Sequence, residues 1–152
     1  MTFHAVWLTL HLLAAAFWVG GMATMHFAVR PAATAVLIAP PQRLALMAAV
    51  LQRFFAGVTA AIAVLLLSGL AMVFGSGGFG AQRPGVHLMF VLGLLMMALF
   101  GHIRLALYRR LQRALAAGTL PAAAAALNGI RRLVVVNLVL GVLVFAAALL
   151  WR

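Results

Sequence analysis

Four long apolar runs divide the chain: Phe3 to Val29, about Phe54 to Phe74, about Val86 to Tyr108, and Leu133 to Trp151. A helix rises 1.5 Å per residue, so about 20 apolar residues cross a hydrocarbon core of about 30 Å. All four runs reach that length. None alternates with the period of two that marks a strand, and an open sheet would leave unpaired backbone groups in lipid. The pattern predicts an all-α fold, an integral membrane up-down four-helix transmembrane bundle with left-handed crossings near 20°. One domain is expected over 1–152, with helices at about 3–29, 42–74, 86–115 and 130–151. The first run is too long for a signal-peptide core and has no basic segment before it, so it is expected to be retained as a helix.

The connections refine this picture. Pro40-Pro41 breaks the first loop, and Gln42 to Arg53 keeps helical spacing, extending the second helix beyond the membrane. The glycine-rich Gly75 to Gly85 predicts a short turn. Ile103 to Leu115 reads as a basic continuation of the third helix, and the alanine-rich Pro121 to Leu127 as a separate short helix before Asn128-Gly129. Loops one and three carry Arg30, Arg43, Arg53, Arg104, Arg109, Arg110, Arg113, Arg131 and Arg132; the other side has only Arg83 and Arg152. The positive-inside rule then puts those two loops in the cytoplasm and both termini outside, in a bacterial-type inner membrane. Trp7, Tyr108 and Trp151 are expected at the interfaces as anchors.

Composition narrows the chemistry. Of 152 residues, 68% are hydrophobic and the mean hydropathy is +1.23, too apolar for a soluble domain. The absence of cysteine excludes disulfides, thiolate metal sites and thiol catalysis. With no Asp or Glu, carboxylate acids, bases and metal cages are excluded too. All eleven basic residues are arginines, permanently charged. The net charge of +11 falls at the ends of apolar runs, which points to anionic lipid rather than nucleic acid.

Ionisable side chains inside a membrane are functional candidates. His11 and His26 lie fifteen residues apart on the first run, and His87 and His102 fifteen apart on the third. The two helices are parallel, so each offers one imidazole per leaflet, separated by about 22 Å. Facing pairs His11–His87 and His26–His102 would hold haem b iron from both sides. Gly20, Gly21, Gly57, Gly69 and Gly93 would leave room for the ring edge, and Arg30, Arg53 and Arg104 would meet the propionates. Two considerations keep other readings open. Fifteen residues leave the two histidines of one helix about 60° apart in azimuth, and His4 is another outer ligand. Each imidazole could equally bond a backbone carbonyl with no ligand at all.

A second constellation is Met22, Met25 and His26, thioethers and imidazole soft enough for Cu(I), with Met89, Met96 and Met97 as further donors. Methionine also packs apolar helices without any metal. Ala16, Gly20, Gly21 and Ala23 form a small-residue face suited to close helix packing, and Asn137 is a lone amide in the fourth run, able to bond across helices or to a ligand.

Several segments carry a family resemblance. His11-Leu12-Leu13-Ala14-Ala15-Ala16-Phe17-Trp18-Val19-Gly20-Gly21 followed by Arg30-Pro31, then Gln52-Arg53-Phe54-Phe55 leading to Leu67-Ser68-Gly69-Leu70, and Arg131-Arg132-Leu133, resemble the copper resistance protein D (CopD-like) family. The chain looks like its four-helix core, which the HemJ-like haem-binding membrane proteins are taken to share. The resemblance implies cofactor-binding roles for His11, Trp18 and Arg53. It departs in the third run, where Met89 follows His87-Leu88 in place of a lysine, and at Asn137, where many copper-family members carry an acid.

The expected function is that of a haem b-binding membrane redox protein, an oxidoreductase-like electron carrier working with a membrane redox partner or quinone. The alternatives are Cu(I) uptake or handling, and a structural or assembly subunit. Partners besides the bilayer would be a second copy of the chain or a larger membrane complex.

Overall fold

Along the second span, Leu44, Ala48, Leu51, Phe55, Val58, Ala61, Leu65 and Ser68 are buried, a seam with steps of three and four residues. That spacing keeps one stripe of a helix turned toward its neighbours while the rest faces outward. The computed structural model describes residues 3–150 and forms four such spans: Phe3–Val36, Pro40–Gly75, Pro84–Ala116 and Leu120–Leu150. All are long and apolar enough to cross a membrane, and no strand occurs among the described residues. Trp151 and Arg152 lie outside the described residues.

The first span is α1 (Phe3–Thr24), a π-helical turn (Met25–Val29) and α2 (Arg30–Val36); the second is α3 (Pro40–Gly75). The third is α4 (Pro84–His102), a second π-helical turn (Ile103–Leu107) and α5 (Tyr108–Ala116); the fourth is α6 (Leu120–Leu150). A π-helical turn inserts one residue into the ladder and shifts the face that follows. The third span shows the effect. Met96, Phe100 and Ile103 are buried at helical steps, and the seam then takes a step of five to Tyr108 before Leu111 and Ala114.

Two helical pairs, first with second and third with fourth, make the most extensive interfaces. Glycines set the approach. A methyl at Gly21 would lie 2.4 Å from the Phe54 ring, and one at Gly57 would lie 2.7 Å from the Phe17 ring. Each glycine is thus the socket for a phenylalanine on the opposite helix. Gly141 on α6 receives Val19 of the first span and Met96 of the third. At the centre, Trp18 meets Phe100 edge-on at 6.1 Å, Phe100 meets Phe55 at 5.6 Å, and Phe55 meets Tyr108 at 5.4 Å. These T-shaped contacts tie three spans together. Outside the seams the large apolar residues are exposed: Leu13 is 63% exposed and Val142 57%, as side chains turned toward lipid must be.

Two sequence expectations need correcting here. The alanine-rich segment is the opening of α6 rather than a separate helix, because Pro121 falls in the first turn, where its missing N–H is not needed. Tyr108 turns into the bundle, where an outward-facing anchor was expected. It is buried in the aromatic cluster, and its hydroxyl donates to the Ala48 carbonyl at 3.1 Å.

Candidate functional site

The arginine-rich ends of the first, second and fourth spans meet around a cavity of about 270 Å³. The first span contributes Met25, His26 and Arg30; α3 contributes Arg43 and Met47; α6 contributes Arg131. Met25 and His26 open the π-helical turn of the first span. Met22, one turn earlier, is only 2% exposed in the central core and is not among the cavity-lining residues. The three cavity arginines are half-buried, and the chain contains no side-chain carboxylate to pair with them. The cavity therefore combines two thioethers, an imidazole and three uncompensated guanidinium groups over an apolar floor that includes Leu44, Leu51 and Val134.

His11 lies toward the other end of the first span and turns to α3. Its Nδ1 is 2.9 Å from the Ser68 hydroxyl oxygen, and a methyl at Gly69 would sit 3.3 Å from its ring. Two of the segments with the family resemblance are thus in direct contact. His87 is exposed in the first turn of α4, with Nδ1 3.2 Å from the Arg83 carbonyl and its ring 6.3 Å from that of Phe79. His102 is exposed at the end of α4, and His26 stacks edge-on against Phe27 at 4.8 Å. The four histidines thus occupy four separate neighbourhoods. No cluster of three or more histidine, cysteine or acidic side chains able to hold a metal ion occurs among the described residues.

Trp18 is in the aromatic core, and Arg53 is exposed. Arg30 lines the cavity just described, while Arg104 belongs to a different groove between the second and third spans. The arginines grouped in sequence reasoning as propionate partners are therefore divided between two places. Of the further methionines considered as donors, Met96 is buried in the core and Met89 and Met97 are half-buried on α4.

Met47, Arg43 and Arg131 are the cavity residues that sequence reasoning passed over. Met47 follows Leu44 on the inward seam of the second span, a signal that was present in the three-and-four spacing. For Arg43 and Arg131 the charge pattern gave only a shared side of the membrane; that their helix ends converge on one cavity comes from the fold.

A family model described as copper resistance protein D matches residues 48–151. The match takes in most of the second span and the third and fourth; the first span, with His11, Met25 and His26, precedes it. No curated protein and no solved structure matches the chain.

Proposed function

Since this chain belongs to the copper resistance protein D family, we propose that it handles copper within the membrane, taking Cu(I) at Met25, His26 and Met47. The supporting observation is the shared cavity: two spans bring neutral soft donors to one accessible place, and thioether and imidazole are the ligands that favour Cu(I). Arg30, Arg43 and Arg131 repel a bare cation. They suit copper that arrives with anionic ligands and exchanges onto the uncharged donors of the cavity. The arginine-rich end faces the cytoplasm in this reading, by the positive-inside rule, and the membrane is a bacterial-type inner membrane.

Competition of purified protein against a chromophoric Cu(I) chelator tests the proposal. The wild type should hold one Cu(I), and Met25→Leu with Met47→Leu should weaken binding at least about tenfold through loss of the sulfur ligands. Met22→Leu should not, because Met22 lies outside the cavity. Wild-type protein that cannot compete, or a double variant that binds as well as wild type, would overturn it.

A second reading rests on the same cavity. An imidazole beside three guanidinium groups is the set of partners that haem iron and its propionates require, and it keeps the link to the HemJ-like proteins. There His26 would bind the iron and Arg30, Arg43 and Arg131 the carboxylates. The haem would supply one-electron chemistry for transfer to a membrane partner or quinone. A Soret band that disappears on His26→Ala would favour this reading; colourless protein that holds copper would remove it.

A further inference from the structure

The second groove has no part in the copper proposal. It lies between the second and third spans, encloses about 260 Å³, and is lined by Gln52 and Phe55 on one side and by Arg104, Leu105, Arg109 and Gln112 on the other. We propose that this groove binds the phosphodiester headgroup of an anionic glycerophospholipid.

Three observations lead there. Arg104 is held in place. Its Nη1 donates to the Phe55 carbonyl at 3.3 Å and to the Thr59 hydroxyl, which in turn donates to the same carbonyl at 2.7 Å. Only Nη1 is used in these bonds, so Nε and Nη2 remain as donors with no protein acceptor among the described residues. The π-helical turn at Ile103–Leu107 carries Arg104, and such turns re-aim side chains. Next, the groove is rich in donors: two guanidinium groups and two side-chain amides surround it, and a chain without Asp or Glu supplies no side-chain counter-ion. Guanidinium bonds to phosphate oxygens in a bidentate fork.

Depth identifies the source of the phosphate. From Pro84 to Arg104 is a rise of about 30 Å, the thickness of a hydrocarbon core. From Gly75 back to Phe55 is the same rise of about 30 Å. Both helices therefore put the groove at the level of lipid headgroups. Leu105, 58% exposed beside it, offers an apolar surface for the acyl chain. Basic pockets between transmembrane helices at this depth are suited to anionic lipids.

The test uses the full chain in neutral detergent, with thermal unfolding and native mass spectrometry as readouts. The probes are phosphatidylglycerol, phosphatidylcholine with the same acyl chains, and inorganic phosphate. Phosphatidylglycerol should raise the melting temperature and remain bound, while the other two should do neither. Arg104→Gln with Arg109→Gln should weaken lipid binding about thirtyfold, and Arg109→Gln alone, an exposed position independent of the Arg104 anchor, about fivefold. The charge-matched pair Arg110→Gln with Arg132→Gln, outside the groove, should bind as the wild type does. Equal stabilisation by phosphatidylcholine, equal loss in the charge-matched pair, or unchanged binding by Arg109→Gln would overturn the proposal. Stabilisation by inorganic phosphate matching that by phosphatidylglycerol would replace the lipid with a free phosphate.

Discussion

His11 Nδ1 on the first span is hydrogen-bonded to the hydroxyl of Ser68 on the second, across 2.9 Å. The direction follows from the serine. Its single proton goes to the Val64 carbonyl at 2.6 Å, so the oxygen is left to accept. The neutral imidazole then carries its lone pair on Nε2. A fixed tautomer of this kind is what a metal-ligating or proton-accepting histidine requires, with the serine in the orienting role. Removing the acceptor should cost stability, because the N–H would be left unsatisfied away from water. Ser68→Ala is expected to lower unfolding free energy by about 1–3 kcal/mol, measured by denaturant or thermal unfolding in micelles. Unchanged stability would mean that the histidine finds another acceptor and that the serine does not fix its tautomer.

The glycine sockets give a second expectation. At Gly141 an added methyl would meet Val19 Cγ2 at 2.7 Å and Met96 at 3.3 Å. Methionine can yield, but valine is stiff at χ1, so the first and fourth spans would have to separate. Gly141→Ala should therefore destabilise by about 1–3 kcal/mol, as overpacking does. Gly93 has nothing within 4 Å of the corresponding position, and Gly93→Ala should be neutral or stabilising by up to about 1 kcal/mol through helix propensity. Paired melting curves test the contrast. The same response from both variants would show that the Gly141 contact is not what sets helix approach.

The spans were legible in the sequence because hydropathy and length impose them directly on a chain in lipid. What the apolar pattern could not convey was rotation. Met22 and Met25 read as neighbours three residues apart on one face, yet the π-helical turn begins at Met25. Met22 remains in the core seam and Met25 goes to the cavity, where its thioether companion is Met47 from another span. The same one-residue shift on the third span carries Tyr108 inward, a position that its interfacial chemistry had hidden. The matched fifteen-residue histidine spacings gave distance along the axis and the angle between two histidines of one helix, but not how either helix is rotated against its neighbours, so they did not disclose that His11 faces Ser68 while His87 turns to Arg83. Sites assembled from three helix ends are illegible until the ends are placed.

Arginine placement yields a topological expectation. The turn at Gly118, with φ +68, lies among the arginines of the third loop, and the glycine-rich turn at Gly77 and Gly78 lies at the opposite end of the bundle. Nine arginines against two should orient the chain with the Gly118 turn in the cytoplasm. Reporter domains fused within Gly118 to Pro121 and after the final residue should report opposite sides, cytoplasmic and external respectively. A reporter active outside the cell at the Gly118 turn would reverse the orientation.

Asn137 presents the opposite case to Ser68: a polar group without a partner. It is 1% exposed in the middle of α6, and its Oδ1 has no hydrogen-bond partner. An unsatisfied buried acceptor costs about 1–3 kcal/mol relative to a well-packed apolar residue. Leucine has the same branched shape and heavy-atom count and no polar atom, so Asn137→Leu should raise stability, by about 2–4 °C in melting temperature for each kcal/mol gained. Asn137 does not line the arginine-rich cavity, so Cu(I) affinity there should stay as in the wild type. If the amide is retained for passage of a ligand through the core, the variant should combine higher stability with slower copper movement across proteoliposome membranes, the usual cost of removing a functional polar group. Thermal unfolding and a copper flux assay on the same preparation separate the two effects. A melting temperature that falls would show that Asn137 has a donor in the bilayer-embedded protein, and that its amide contributes to holding the bundle together.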